Sequence, residues 1–422
     1  MRLSRRKLLS SAAGFGAVLA MPSLARAQDG GLDFWEEMRN SRMVRDTDRA
    51  GNTATAMQLV DTIEPILSFD TAYNLQLAIQ NYEQFVAARG SWDLPQQSWF
   101  GLSLGKNRKV VRDIKRRLMI NGDMPVQERI DDTFDDQLDA AVRLFQARHG
   151  LIINGQIDEP TYYAFNVPTD YRLNQLRLNA MRVEQWASAL SDRYVVVNIP
   201  AATIEAIEAS QVVQRHTAVV GKVDRATPIM NSRVHQVKFN PYWTVPKSII
   251  RKDLIKYMNE DPEYLTKFRI RIFDGKGNEV QPMQINWQSE EAVNYTFRQD
   301  PGAENSMGHC KIDFYNKYDC YLHDTPQKAL FGENARFHSS GCVRVDQVDS
   351  LVAWLLRDNG GWDISSVQSM FASNQTMEVP LNNKIPIHTT YITAWANRQG
   401  TVSFRDDVYG HDAAGTITFT DA

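Results

Sequence analysis

Residues 336–346 read RFHSSGCVRVD, and upstream of them Tyr321–Pro326 read YLHDTP. Cys342 follows a glycine in what reads as a turn, between a strand-rich region and a helix. A free thiol ionises near pH 8.5, so a nucleophilic cysteine needs a base, a cation or a helix N-terminus nearby. His323 is the best candidate base, 19 residues upstream at the end of a predicted strand. A Cys–His pair outside any disulfide framework points to nucleophilic acyl transfer. The backbone N–H groups around Gly341 and Cys342 are candidates for an oxyanion hole. Gly341 lets the chain approach closely without a Cβ.

The surrounding residues have strand character. RYVVVNIP (193–200), RHTAVVG (215–221) and RVHQVKFN (233–240) are β-branched and near-alternating. CKIDF (310–314) and DCYLHD (319–324) continue the pattern, joined by a short turn at Tyr315–Lys317. Residues 248–303 break it, opening with a helical SIIRKDLIKYMNEDPEYLTKF, and read as an insertion placed to act as a lid. After the cysteine, DQVDSLVAWLLRDNGG predicts an amphipathic helix capped by Asp346, with Val348, Leu351, Val352 and Leu355 on its apolar face and Gly360 at its end. The tail IPIHTTYITAWANRQGTVSFRDDVYG reads as a two-stranded hairpin around Gly400.

The first 27 residues carry a basic n-region (Arg2, Arg5, Arg6, Lys7), a small and apolar stretch, and Ala25-Arg26-Ala27. This is the pattern of a secretory signal peptide, and the Arg5-Arg6 pair points to twin-arginine export. The apolar run is too interrupted to span a bilayer. The expected product is an exported, periplasmic protein of about 395 residues (422 minus 27) without stable membrane insertion. A net charge of −3 gives no basic field for nucleic acid. Three cysteines, Cys310, Cys320 and Cys342, are too few and of the wrong parity for a disulfide-built fold.

The N-terminal half reads as helical. In residues 71–89, Leu75, Ile79, Tyr82 and Val86 share a face, with Asp70 as candidate cap, Gly90 as stop and a linker around Pro95. Residues 102–167 hold three helical patterns: Val111, Ile114 and Leu118, then Leu138, Val142 and Phe145 up to Gly150, then a start at Thr161. The run Phe145-Gln146, Gly150-Leu151, Gly155-Gln156-Ile157-Asp158 and Thr161 resembles the three-helix peptidoglycan-binding module. Its basic residues Lys109, Arg112, Lys115 and Arg116 are a candidate face for an acidic wall polymer or a solvated helix face.

YLHDTP with SSGCVRV resembles the signature of YkuD-type L,D-transpeptidases, and specifically their long YcbB-like members. KFNPYWTVPKSI (238–249) and the tail extend the resemblance over most of the mature chain. The resemblance implies a multidomain α+β protein. A helical scaffold (28–101) and the peptidoglycan-binding module (102–167) lead through a helical connector (168–192) to a mainly β catalytic domain (193–372) with a capping lid at about 248–303. A C-terminal hairpin extension (373–422) follows. It implies Cys342 as nucleophile and His323 as base, with Gly341, Ser340, Arg344 and Tyr321 supporting the site or its oxyanion. Asn240, Tyr242, Trp243, Asp324 and Thr325 would bind substrate. The implied reaction is a thioester transfer between peptidoglycan stem peptides, releasing D-alanine and making a 3→3 cross-link, with no cofactor and with carbapenems as inhibitors. The same machinery could serve carboxypeptidase hydrolysis or tether an outer-membrane protein to the wall.

Short members of this family carry His immediately before Gly-Cys, where this chain has Ser340; His338 is a weak substitute two residues away. Cys310 and Cys320 fall on neighbouring predicted strands, as a disulfide or as two buried thiols. His309 beside Cys310 lacks a second ligand pair, so no metal site is expected. A cysteine peptidase of the NlpC kind would place its nucleophile before its histidine, the reverse of the order here.

Overall fold

A computed structural model describes residues 51–89, 100–187, 190–415 and 420–421. The expected signal peptide and the Pro95 linker lie outside them.

Two helices open the described chain, α1 (Asn52–Val60) and α2 (Phe69–Arg89). The expected face of α2 is buried: Leu75, Ile79 and Tyr82 pack with Leu173, Leu176 and Val183 of α6 (Thr169–Ala187). The cap differs from expectation. Ser68, not Asp70, receives the Thr71 N–H at 3.1 Å, because the helix begins at Phe69, two residues earlier.

The module between them contains α3 (Val110–Asn121), α4 (Asp136–His149) and α5 (Glu159–Phe165) around Val111, Ile114, Leu118, Leu138, Val142 and Phe145. Gln146 explains its signature. Fully buried, its amide donates to Asn154 Oδ1, the Gln156 carbonyl and Thr161 Oγ1, and accepts the N–H groups of Asn154 and Gly155. One side chain therefore joins the Phe-Gln, Gly-x-Ile-Asp and Thr positions. The basic residues do not form a free face. Lys115 is 1% exposed and paired with Asp131 and Asp135, Arg112 pairs with Asp132, and Arg116 with Asp113.

The β region is one ten-stranded sheet whose path closes on itself. Its strands are β1 (Arg193–Asn198), β2 (Thr203–Glu208), β3 (Gln211–Gly221), β4 (Met230–Phe239), β9 (Cys310–Phe314), β10 (Leu322–His323), β11 (Phe337–Ser339), β12 (Val343–Val345), β13 (Met377–Thr390) and β16 (Thr420–Asp421). β3 pairs with β12 on one side and β2 on the other, and the circuit runs β3-β12-β10-β9-β4-β13-β1-β2. Both faces are covered, which is why β1 is buried almost throughout. Val195 and Val197 turn to the core shared with Leu322, Val343 and α7 (Val348–Leu356), whereas Tyr194 and Val196 pack against the helical scaffold.

β2 was not foreseen, and neither was α8 (Ile364–Ala372), capped by Asp363 through the Ser366 N–H at 2.7 Å. Asp346 is not the cap of α7; Gln347, at φ +48°, precedes the helix instead. The expected boundary at 372/373 is displaced as well. β13 lies between β4 and β1, inside the sheet, so the tail beyond residue 373 is not an extension. Only β14 (Ala394–Ala396) and β15 (Val402–Phe404) form the predicted hairpin around Gly400.

The chain leaves the sheet before residue 248, where the insertion was expected to begin. β4 and β9 are antiparallel neighbours, and everything between them leaves the sheet. It builds a second sheet of β5 (Trp243–Thr244), β6 (Ile270–Phe273), β7 (Glu279–Val280) and β8 (Thr296–Gln299). The lid has its own core, including Leu254, Leu265, Ile272 and Phe297. Among the described residues no helix is long and apolar enough to cross a membrane.

Candidate active site

β10 and β12 are parallel neighbours, with Leu322 opposite Val343 and His323 opposite Arg344. Side chains alternate along a strand. Leu322 and Val343 point into the core, so Tyr321, His323, Cys342 and Arg344 emerge together on the opposite face. The ladder thus gathers four predicted site residues that the sequence spreads over 24 positions (321–344).

His323 is buried, and its Nδ1 lies 2.6 Å from the Asp324 carbonyl. A carbonyl only accepts, so Nδ1 carries the proton and Nε2 keeps its lone pair. Burial, reinforced by the Arg344 charge, pushes its pKa down to about 3. The imidazole is neutral at rest, as a base must be. Its ring meets Tyr321 edge-on, with centroids 5.6 Å apart.

The half-buried Cys342 thiol is shifted below its ordinary pKa. The leading cause is the neighbouring Cys320 thiol, a potential donor to the charged sulfur; burial opposes it, while the Tyr321 N–H and hydroxyl and the Lys311 charge assist it. Lys311 lies over the Tyr321 ring, its Nζ 4.3 Å from the centroid. Cys320 and Tyr321 are pushed the other way, well above their usual values, so both stay protonated as donors.

The turn itself is tightly tied. Ser339 Oγ donates to the Cys342 carbonyl at 2.5 Å and accepts the Gly341 N–H at 3.1 Å. Gly341, at φ +112°, is in a conformation that favours glycine. Its N–H is therefore spent on Ser339, which removes it as an oxyanion donor and leaves the Cys342 N–H, for which no acceptor exists among the described residues. Ser340 is exposed and accepts a bond from Arg225 at 2.9 Å. Arg344 reaches the Gln327 side chain and so braces the 324–328 loop.

Three of the expected substrate residues are spent inside the fold. Asn240 is buried at φ +42° and donates to the carbonyls of Met370 and Gln375. The Asp324 carboxylate accepts from the His309 N–H and Lys328. Thr325 is buried and accepts the Gln327 N–H. Tyr242 differs, being 46% exposed on a cleft between the lid and α8. Trp243 is half-buried at the start of β5. His338 is held by Glu333 and the Ala335 carbonyl.

Sequence reasoning missed two residues. Arg225, in the short turn after β3, bridges Ser340 and the lid residue Asp253. Cys320 was set against Cys310, but Ile312 faces Leu322 and Lys311 faces His323, so the two cysteines occupy opposite ends of the β9–β10 pair. Four residues of strand separate them by roughly 13 Å, beyond disulfide reach. Both are free thiols. The spacing Cys320-Tyr321 against Gly341-Cys342 would have revealed the true neighbour, had parallel pairing been assumed. Among the described residues no cluster of His, Cys, Asp or Glu could hold a metal ion.

Comparison with known proteins bears on the same regions. Residues 192–399 match the YkuD family model, an L,D-transpeptidase catalytic domain, and residues 107–165 match a peptidoglycan-binding domain model. A Haemophilus influenzae protein, provisionally named as an L,D-transpeptidase, is 33% identical over 252 residues, covering 58% of this chain and 50% of its own length. The chain thus spans about half the length of this curated relative. Similar solved structures include an L,D-transpeptidase from Stackebrandtia nassauensis, 13% identical, covering 72% of this chain and 98% of its own, with a TM-score of 0.26. Another, from Xylanimonas cellulosilytica, is 12% identical, covers 70% and 100%, and has a TM-score of 0.23. On its sequence matches, the chain carries a YkuD-type L,D-transpeptidase catalytic domain at residues 192–399 and a peptidoglycan-binding domain at residues 107–165.

Proposed function

We propose that this protein is an exported L,D-transpeptidase that joins peptidoglycan stem peptides through a thioester on Cys342. The observation that carries the reading is the common face of β10 and β12. A thiol with a lowered pKa and a neutral imidazole with its free nitrogen at Nε2 emerge there from neighbouring strands. The Cys342 sulfur attacks the carbonyl of the stem's third residue, and the oxyanion meets the Cys342 N–H. The bond to D-alanine breaks, and His323 gives the leaving amine the proton its Nε2 took from the Cys342 thiol as the sulfur attacked. The side-chain amine of a second stem then loses a proton to His323, attacks the thioester and frees the sulfur, leaving a 3→3 cross-link. Carbapenems would acylate the same sulfur. The twin-arginine pattern of residues 1–27 supports periplasmic action.

The test is mass spectrometry of the mature protein with a disaccharide-tetrapeptide, wild type beside Cys342→Ala and His323→Ala. The expected product has the mass of two substrates less one D-alanine, and only the wild type forms it. D-alanine release without a dimer would indicate hydrolysis or another acceptor. Transfer by Cys342→Ala would overturn the reading.

A further inference from the structure

The second thiol at the site is placed with more constraint than packing requires. Cys320 Sγ lies 3.3 Å from the Gly341 carbonyl, and Cys342 Sγ lies 3.6 Å from the Asp319 carbonyl. Each sulfur thus contacts the carbonyl immediately preceding the other cysteine, and the two thiols sit side by side across β10 and β12. The backbone of Cys320 is clamped. Its N–H donates to Asn316 Oδ1 at 3.0 Å, and its carbonyl accepts from Asn316 Nδ2 at 2.8 Å. The Gly341 carbonyl does not depend on Cys320, because Thr227 Oγ1 donates to it at 2.9 Å. The Cys320 S–H can therefore leave that carbonyl without orphaning it.

We propose that Cys320 is a positioning residue for the nucleophile: its S–H turns from the Gly341 carbonyl to the Cys342 sulfur once that sulfur is ionised, and stabilises the thiolate. No bond to hydrogen breaks in this step; the proton stays on Cys320 throughout. The electrostatics agree, with Cys342 shifted down and Cys320 shifted up. The groups facing the pair are the Tyr321 N–H, which favours charge on either sulfur, and the Tyr321 hydroxyl and Lys311 ammonium, which favour it on Cys342. His323 is neutral there and adds no charge. The inference rests on Cys342 as the reacting thiol, but its test does not need turnover.

The experiment follows alkylation of Cys342 by iodoacetamide against pH, read on the Cys342 peptide by mass spectrometry. The mature wild type is compared with Cys320→Val, an apolar and slightly larger side chain that removes the donor, and with Cys320→Ser, which restores one. Cys320→Ala substitutes for valine if that variant does not fold. The expected result is an upward shift of the alkylation midpoint by about half to one pH unit in the valine variant, since S–H is a weak donor, and its return in the serine variant. A folded Cys320→Val with an unshifted midpoint would overturn the proposal. Transfer surviving in Cys342→Ala would instead sink the catalytic reading, leaving the thiol pair intact.

Discussion

Arg225 grips Asp253 with both arms of its guanidinium, at 2.7 and 3.0 Å, and the first arm also reaches Ser340, two residues before Cys342, at 2.9 Å. One side chain thereby ties the inserted sheet to the Cys342 turn. The pair is partly exposed, so it adds only about 0.2–1 kcal/mol to stability. Its effect is expected in partition, not in folding. Asp253→Asn or Arg225→Ala should barely move the melting temperature yet raise hydrolysis relative to transfer, because a loosened lid admits water. The ratio of free tripeptide to dimer in the transfer assay measures this; an unchanged ratio would mean the lid is held by other contacts.

Acid should destabilise the fold. Unfolded histidines take up protons near pH 6.5, whereas His323 does so only at about 3 and His388 at about 4, both chiefly because of burial. Between those values the unfolded chain binds more protons, so stability falls as pH falls. The loss by pH 5 should be on the order of 1–2 kcal/mol for each histidine. Urea denaturation at pH 7 and pH 5 checks it, and His388→Gln should shrink the difference. A pH-independent midpoint would contradict the assigned protonation.

Gln146→Leu should weaken the module more than the loss of one average hydrogen bond. It leaves the Gly155 N–H and the Gln156 carbonyl without their partner, while the Asn154 N–H keeps only the Ile152 carbonyl. The expected cost is about 1–3 kcal/mol. Limited proteolysis of residues 150–160 would report it.

Gly341→Ala separates space from strain. A Cβ there would meet the Ala226 and Arg225 carbonyls at 3.6 and 3.7 Å, an ordinary contact, yet φ stays at +112°. The cost is backbone strain of roughly 1–3 kcal/mol. We expect a folded protein with a lowered melting temperature and a more than tenfold loss of transfer, since relief of the strain would swing the Cys342 N–H. Wild-type transfer in that variant would remove the turn from the mechanism.

Much of this architecture was legible because its causes are local. Val111, Ile114 and Leu118 repeat at the helix period, and CKIDF is framed by turn residues, so α3 and β9 emerged close to their observed bounds. What escaped depends on long-range pairing. β13 carries Pro380 and Pro386 and the polar Asn382, Asn383 and Lys384, so nothing in it reads as a central strand. Cys320 looked like a partner for Cys310 because the 315–321 loop was taken as a short turn. Asn316 instead folds that loop with four side-chain hydrogen bonds. The Asn240, Asp324 and Thr325 assignments came from motif position, and position alone does not distinguish a residue facing a ligand from one bracing the wall behind it.

The module is bolted down, not leashed. Arg148 joins Asp123 within it to the Val402 carbonyl beyond it, Arg405 returns a bond to the Arg148 carbonyl, and the Ile152 N–H meets Asn334. A tethered domain would raise local substrate concentration over a whole sphere of reach. A bolted one works as a calliper. If residues 107–165 grip the wall, the stem peptide offered to Cys342 lies at one fixed offset along it, and the spacing of cross-links would be written into the distance between two parts of a single rigid body.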